Sequence, residues 1–274
     1  MKILNFRNTS TLFLLLFSLF TVCRIIVCPG LSGGAARLCS MPFLVYSTLL
    51  IFYMGVSVIM AFFPASGFHY RDVSTHGNRE RKTLTLTFDD GPDAETTTLI
   101  LDILQKYKLS AAFFIIGEKI EGNEGIIKRM VSEGHIIGNH SWSHSYLWDF
   151  YPSVKMANEI ERTIRETEKF TGKRMKLFRP PYGVINPLVA KALVKTGVKT
   201  VAWSFRSFDT AAMDPLALLA KTIIKTSPGD VMLFHDNCRL TAGILEKIIV
   251  SLQERGFTFI PLDEMLNLQA YENF

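Results

Sequence analysis

Hydrophobic positions divide the chain into an apolar N-terminal region and a longer region where short β-rich runs alternate with helical runs. In the first region, two stretches, at about residues 10–28 and 41–63, are apolar around the whole circumference of a helix rather than along one stripe. Runs of this length and composition are typical of membrane-spanning helices. The pattern predicts a membrane anchor in residues 1–64 with one or two transmembrane helices. Two spans are favoured, and a signal peptide is the other interpretation of the first stretch.

Residues 65–81 are polar and mixed, which predicts a juxtamembrane linker. In residues 82–274 the β-rich runs and the helical runs alternate to the end of the chain. Each return to the same end of a sheet needs a crossover helix, so this alternation predicts parallel strands. We therefore expect an α/β catalytic domain built as a distorted, incomplete (β/α) barrel of about seven parallel strands. The strands are predicted at 83–88, 111–116, 135–138, 177–179, 200–203, 231–234 and 257–260, and the helices at 96–107, 124–133, 153–170, 187–196, 214–225 and 241–255.

Charge argues against nucleic acid as a partner. The net charge is +5, but Lys2, Arg7, Arg24 and Arg37 contribute +4 within the first seventy residues, which contain no acidic residue. The difference leaves the rest of the chain at about +1, without the basic face that phosphate binding needs. Three of the four cysteines lie in or beside the apolar region, so a disulfide framework is not expected.

Polar side chains that can carry chemistry gather where the predicted strands end. Asp89 and Asp90 follow the first strand, and His140 and His144 follow the third. Later strands add further candidates, namely Arg179, Asp209, His235 and Asp236. In parallel α/β barrels the active site is built at this rim, so these residues are expected to converge in one pocket.

The spacing of His140 and His144 is compatible with a metal site. On a helical turn, histidines at positions i and i+4 point the same way and can share an ion, although such pairs also face solvent without one. A carboxylate from the Asp89–Asp90 pair would complete a His₂-carboxylate site with an open position. The second carboxylate could then accept a proton. The same ligand set also suits Fe(II), so a non-haem iron oxygenase is an alternative at this stage.

Four motifs then occur in a fixed order: Thr87-Phe-Asp-Asp-Gly-Pro92, His140-Ser-Trp-Ser-His144, Arg179-Pro-Pro-Tyr-Gly183 and Leu233-Phe-His-Asp236. With these motifs the chain resembles the polysaccharide deacetylases with a NodB-homology domain, carbohydrate esterase family four. The resemblance covers about residues 82–266, and the N-terminal region lies outside it.

The resemblance implies a role for each matching residue. Asp90, His140 and His144 would bind a divalent ion, usually Zn²⁺ and in some members Co²⁺, Ni²⁺ or Mn²⁺. Asp89 would be the general base and His235 the general acid. The remaining implied roles are an oxyanion donor at the backbone N–H of Tyr182, an acyl-pocket wall at Leu233, and an Arg179 that orients the base and is itself braced by Asp209.

One motif departs from the family pattern. Relatives commonly have Asp-x-x-Asp-Trp where this chain has Arg206-Ser-Phe-Asp-Thr210. Asp209 is retained, but Arg206 replaces the first aspartate and Thr210 replaces the tryptophan. Arg206 could bind an anionic glycan or a lipid phosphate, while an ordinary solvent-exposed arginine is the simpler interpretation.

The implied reaction is hydrolytic removal of an N-acetyl group from an amino sugar in a glycan such as peptidoglycan or poly-N-acetylglucosamine. Alternatives are a deacylase of a lipid-linked sugar, an O-acetyl glycan esterase, and a non-catalytic glycan-binding homologue anchored in the membrane. The expected partners are the glycan and the lipid bilayer. Because most cell-wall glycans are outside the cell, we expect an extracytoplasmic catalytic domain. The sequence does not indicate an oligomeric state.

Overall fold

The computed structural model describes residues 6–27 and 34–272. Its first two helices are α1 (Phe6–Val27) and α2 (Gly34–Ala61), and they pack on each other. The Tyr53 ring stacks on Phe13 with centroids 4.6 Å apart, and its hydroxyl lies 2.7 Å from the Ser10 hydroxyl. The end of α2 contacts the rest of the chain, since Ile185 N–H donates to the Ala61 carbonyl at 2.8 Å.

Both apolar stretches thus fold as helices, but no helix in the described parts of the chain is long and apolar enough to cross a membrane. The predicted transmembrane segments at 10–28 and 41–63 are therefore not supported. Residues 1–5 and 28–33 of the predicted anchor lie outside the described residues.

The remainder of the chain forms one parallel sheet, with nine strands in the part that the structure describes. The strand order is β1-β6-β5-β4-β3-β2-β8-β7, and β9 pairs with β2. The strands are β1 (Val73–Ser74), β2 (Thr83–Asp89), β3 (Ala112–Ile115), β4 (Ile136–Asn139), β5 (Leu177–Phe178), β6 (Lys199–Val201), β7 (Phe205–Arg206), β8 (Asp230–His235) and β9 (Thr258–Phe259). The connecting helices are α3 (Thr96–Tyr107), α4 (Glu124–Ser132), α5 (Ser153–Thr171), α6 (Pro187–Thr196), α7 (Pro215–Lys225), α8 (Arg239–Glu254) and α9 (Leu262–Leu266).

This curled, parallel half-barrel confirms the predicted α/β architecture. All seven predicted strands are present, and β1 and β7 are additional. β1 lies in the stretch predicted as a linker, where Val73 pairs with Thr200 of β6, so part of residues 65–81 belongs to the sheet. Two residues show no alternation of polar and apolar positions, and β1 and β7 were missed, whereas β5 and β9, of the same length, fall within the predicted runs 177–179 and 257–260.

The sheet has an outer face covered by helices and an inner, concave face. Along β2, Leu84, Leu86 and Phe88 belong to the large outer core. The alternate positions Thr87 and Asp89 point to the concave face, because successive side chains of a strand point to opposite sides. A smaller cluster on the concave face includes Ala112, Phe114 and Val231 together with Leu262 and Ala270 from the C-terminal segment. The inner face is therefore filled with apolar side chains at depth, and its polar groups lie at the carboxyl ends of the strands.

Candidate active site

Two adjacent aspartates at the end of β2 face the same pocket. Asp89 is the last residue of the strand and is buried, and Asp90 follows with a positive φ of 73°. In a continuing strand the two side chains would point to opposite faces. The left-handed conformation, which aspartate tolerates better than most residues, turns both carboxylates towards the concave side.

His140 and His144 lie on an irregular loop after β4 and not on a helical turn. Ser141 and His144 have φ values of 67° and 46°, which a right-handed helix cannot contain. Two hydrogen bonds hold the loop, from Ser141 N–H to Asn139 Oδ1 at 2.8 Å and from Thr163 Oγ1 to the Ser141 carbonyl at 2.9 Å. The helical-turn prediction was wrong, but the convergence of the two imidazoles was right, and their ring centroids are 4.8 Å apart.

The two imidazoles converge on one carboxylate oxygen. His144 Nε2 lies 3.3 Å and His140 Nε2 lies 3.5 Å from Asp90 Oδ1. That oxygen is buried and has no hydrogen-bond partner. His140 Nδ1 is 2.7 Å from the Arg179 carbonyl, which only accepts, so Nδ1 carries a proton and Nε2 is the nitrogen that faces Asp90.

These residues fit a divalent ion. Tetrahedral ligands at about 2.0–2.1 Å from an ion are separated by about 3.3–3.4 Å, close to the separations found here. Metal ligation also requires neutral imidazole. Burial, with a smaller effect of His140, lowers the pKa of His144 to about 4, so His144 is neutral at physiological pH. Asp90, His140 and His144 are thus the three residues that could hold a metal.

Asp89 is paired with a fully buried arginine. Arg179 Nη1 donates to Asp89 Oδ1 at 2.7 Å and to Thr87 Oγ1 at 2.8 Å. The other guanidinium nitrogens donate to the carbonyls of Val201 and Ala202, both at 3.1 Å. Asp89 Oδ2 is left facing the metal-ligand residues, 3.8 Å from His140 Nε2. The pairing offsets the cost of burying the carboxylate while one oxygen stays available for a proton.

Asp209 does not brace Arg179 as predicted but binds His235. Asp209 Oδ1 accepts from His235 Nδ1 at 2.7 Å, and Oδ2 accepts from His235 N–H at 2.8 Å and from Thr241 Oγ1 at 2.5 Å. The turn at Phe208, whose φ is 62°, directs the carboxylate towards β8. Arg179 instead takes neutral partners, Thr87 and two backbone carbonyls, in addition to Asp89.

The pairing changes the protonation of His235. Burial alone would lower the pKa of His235, but the hydrogen bond and charge of Asp209, together with Asp89 and Asp90, raise it to about 9. His235 is therefore protonated at neutral pH. Its Nε2 lies 4.0 Å from Asp90 Oδ2, so a proton donor stands beside the three candidate ligands.

Tyr182 and Leu233 border the same pocket. Tyr182 lies in a short 3₁₀ turn after β5, has a φ of 57°, and donates from its hydroxyl to the His144 carbonyl at 3.2 Å. Leu233 is on β8, directly opposite Thr87 of β2 on one side and Arg206 of β7 on the other. The structure thus places the predicted site residues at or near the carboxyl ends of β2, β4, β5 and β8, with Asp209 joined to them through His235.

Three supporting residues were not singled out in the sequence. Thr87 and Thr241 anchor Arg179 and Asp209, and Lys119 Nζ donates to the Asp90 carbonyl at 2.6 Å. Thr87 could have been found, because it lies in the first motif and its position in the strand puts it on the same face as Asp89. Nothing in the sequence marks Lys119 or Thr241.

Asp236 is buried beneath the turn that carries Asp90. Thr97 Oγ1 donates to its Oδ2 at 2.7 Å, and a Cβ atom on Gly91 would overlap the carboxyl group. Burial, opposed by the Thr97 hydrogen bond, raises the pKa of Asp236 to about 7. The carboxyl group packs directly against the backbone of the turn, so residue 91 has room for glycine alone.

Comparison with known proteins agrees with this geometry. Residues 76–201 match the polysaccharide deacetylase family model. A peptidoglycan-N-acetylglucosamine deacetylase of Bacillus cereus is 36% identical over 193 residues, which cover 68% of this chain and 88% of that protein. The peptidoglycan-N-acetylmuramic acid deacetylase PdaA of Bacillus subtilis is 34% identical over 194 residues, 69% of this chain and 73% of that protein.

Solved structures show the same likeness. The crystal structure of the Bc1960 peptidoglycan N-acetylglucosamine deacetylase matches with a TM-score of 0.69 and 31% identity, covering 73% of this chain and 95% of that one. These findings confirm the resemblance carried by the four motifs. The chain therefore belongs to the polysaccharide deacetylases of carbohydrate esterase family four, hydrolases that act on carbon–nitrogen bonds other than peptide bonds.

Proposed function

We propose that this protein is a metal-dependent N-deacetylase of peptidoglycan-type glycans. One observation carries the proposal: a paired base, Asp89, and a paired acid, His235, flank a three-residue site that fits a divalent ion. Relatives named for peptidoglycan deacetylation, one for the glucosamine unit and one for the muramic acid unit, support the substrate class.

The reaction requires one proton to be removed and one to be delivered. Asp90, His140 and His144 would hold a divalent ion, most simply Zn²⁺, which would supply a Lewis acid for the acyl carbonyl and for water. Asp89 takes the proton from the attacking water through Oδ2, because Oδ1 is held by Arg179. His235 gives its Nε2 proton to the amine as the carbon–nitrogen bond breaks, and acetate and the free amino sugar are released. The Tyr182 backbone N–H is our candidate for stabilising the oxyanion.

The paired groups favour a working enzyme over a non-catalytic homologue. Arg179 pairs with Asp89 at depth, and Asp209 raises the pKa of His235 so that His235 is protonated at neutral pH. A carboxylate paired through one oxygen and a protonated imidazole are what the proposed base and acid need. A protein that only binds glycan would have no use for this arrangement.

The direct test is acyl release from peptidoglycan and from N-acetylglucosamine oligomers, measured as acetate and as new free amine. We would use the purified full chain in mild detergent, because α1 and α2 expose many apolar side chains. Release should require added Zn²⁺ or Co²⁺, should stop with chelator, and should be abolished by Asp89→Asn. Asp72→Asn, the same change at an exposed position, should leave it intact. Failure of folded, metal-loaded protein to release acetate from either glycan would refute the proposal.

We also propose that the catalytic domain acts outside the cytoplasm, where peptidoglycan lies. A reporter fused to the C-terminus, active on one side of the membrane only, tests this location. Reporter activity confined to the cytoplasm would contradict it.

A further inference from the structure

Two basic side chains share one exposed aromatic ring beside the active site. The Arg206 guanidinium carbon lies 4.8 Å from the centroid of the Phe208 ring, and Lys221 Nζ lies 4.3 Å from the same centroid. Phe208 is 48% exposed and has a left-handed backbone conformation. The ring is thus held at the surface with a cation from β7 and a cation from α7 against it.

Neither cation has a carboxylate partner in the part of the chain that the structure describes. In residues 6–27 and 34–272, no carboxylate oxygen lies within 4 Å of the charged groups of Arg206 or Lys221. Lys221 donates to the Ser207 carbonyl at 2.9 Å, and Arg206 also faces the Trp203 ring at 5.6 Å. Stacking on rings leaves the guanidinium N–H groups free to bind an oxyanion. An anion bound at the edge of the shared ring would be attracted by both charges.

Their position points to the substrate as the source of the anion. Arg206 pairs with Leu233 of β8, two residues before His235, so its side chain is on the same concave face as the proton donor. Three residues later, Asp209 holds His235 itself. An anion bound by Arg206 would therefore lie next to the group that protonates the leaving amine.

A cavity lies beside the Phe208 ring and Lys221, and Arg206 is not among the residues that line it. Its volume is about 430 Å³, and its walls include Ser207, Phe208, Ala212, Met213, Leu218 and Lys221. Asp214 also lines it, but the Asp214 carboxylate caps α7 by accepting from Leu216 N–H at 2.9 Å. The cavity is mainly apolar and its charged walls are Lys221 and Asp214, so it offers room beside Lys221 for the apolar part of an acidic substituent.

We propose that Arg206 and Lys221 form a carboxylate-binding subsite, so that the preferred substrate carries a carboxylate on or beside the sugar that loses its acyl group. This inference rests on the proposed deacetylase function and narrows its substrate class. Among amino sugars, muramic acid carries such a group in its lactyl ether, whereas glucosamine has none. The chain should therefore favour glycan strands with free lactyl carboxylates over neutral N-acetylglucosamine oligomers.

The sharpest test uses a matched pair of substrates: peptide-free glycan strands, and the same strands with the lactyl carboxylates reduced to alcohols. The full chain should show a kcat/KM about 10- to 100-fold higher on the acidic strands, as expected for hydrogen bonds to a charged group. Arg206→Gln and Lys221→Gln should each remove most of this preference, and added salt should weaken it. Arg165→Gln, which removes the same charge from an exposed position of α5, should keep it.

A binding measurement separates this inference from the proposed function. The affinities of the acidic and reduced strands for the Asp89→Asn protein can be measured by calorimetry without turnover. Selective binding of acidic strands that depends on Arg206 or Lys221 would support the subsite even if no acetate were released. Equal affinities, or a preference that survives in both folded variants, would overturn the subsite while leaving the deacetylase function standing.

Discussion

Replacing Asp209 by asparagine should lower the pKa of His235 and move the alkaline limit of activity to lower pH. The change keeps the size of the side chain but removes the charge that accepts from His235 Nδ1 at 2.7 Å. Asp209 is the main cause that opposes burial and raises the pKa of His235 to about 9. Without that charge, we expect the pKa to return at least to the ordinary histidine value of about 6.5.

The size of the effect follows from the protonated fraction. At about pH 8, the fraction of His235 that is protonated should fall from about nine-tenths to about 3%, which predicts a roughly 30-fold lower kcat. At about pH 6 the two proteins should differ by less than about twofold, because His235 is largely protonated in both. The signature is thus a shift of the alkaline limb of the pH profile, not a uniform loss of activity.

The assay is acetate release between about pH 5 and pH 10 with the same metal in both proteins. A cation bound to Asp90 would offset the contributions of Asp89 and Asp90 to the His235 pKa in both, so the difference between the profiles reports Asp209 alone. Thr241→Val is the matched control. It removes the other donor to Asp209 Oδ2 and leaves the charge in place, so the His235 pKa should not fall.

Thermal melting and a proton NMR titration of the His235 ring protons would show that the Asp209→Asn protein is folded and that His235 itself has shifted. If the folded variant lost activity at the same alkaline pH as the wild-type protein, Asp209 would not set the pKa of the proton donor. If the pKa of the His235 ring fell but the alkaline limb of the pH profile did not move, His235 would not be the general acid.

Three further changes test other parts of the site. Asp90→Asn should weaken Zn²⁺ binding by more than about 100-fold in a chelator competition, because it removes the carboxylate ligand, and unchanged affinity would place the metal elsewhere. Arg179→Gln should lower the free energy of unfolding in urea by about 3–5 kcal/mol, because it leaves Asp89 buried and unpaired. Arg239→Gln breaks an exposed pair with Glu95 and should change the free energy of unfolding by less than about 0.5 kcal/mol. Gly91→Ala should lower the free energy of unfolding by about 1–3 kcal/mol, because the added Cβ atom would overlap the Asp236 carboxyl group. Gly125→Ala adds a Cβ atom in open space on a helix and should not lower it. Equal effects of the two changes would show that the Gly91 turn can relax.

The helices and the longer strands could be predicted because their sequences repeat with the period of the element. α5 buries Met156, Ile160 and Ile164 at intervals of four residues, and β2 alternates Leu84, Leu86 and Phe88 with polar residues. β1 and β7 were not predicted, because two residues show no period and neither strand is part of a longer predicted run, whereas β5 and β9 are as short but fall within the predicted runs 177–179 and 257–260.

The identity of the site residues was easier to predict than the residues to which each of them hydrogen-bonds. The residue types at the ends of β2, β4, β5 and β8 marked the pocket, but the direction of each side chain depends on single backbone angles. Asp209 was expected to brace Arg179, and the left-handed turn at Phe208 instead aims it at His235. Likewise, two left-handed residues in the loop after β4 replace the expected helical turn. Non-glycine residues in the left-handed conformation are uncommon, and the spacing of residues in the sequence does not predict them.

The charge pattern of the pocket links these partner choices to the proposed chemistry. Buried carboxylates are tolerated when a cation or hydrogen bonds compensate them. Asp89 has Arg179 and Asp209 has protonated His235, while the buried Oδ1 of Asp90 faces His140 and His144 and has no hydrogen-bond partner. His144 is neutral because its pKa is lowered to about 4, so protonation does not supply the missing positive charge. A divalent cation would give Asp90 the positive partner that Asp89 and Asp209 already have, which is why we expect metal to raise stability as well as activity, with no such gain in Asp90→Asn.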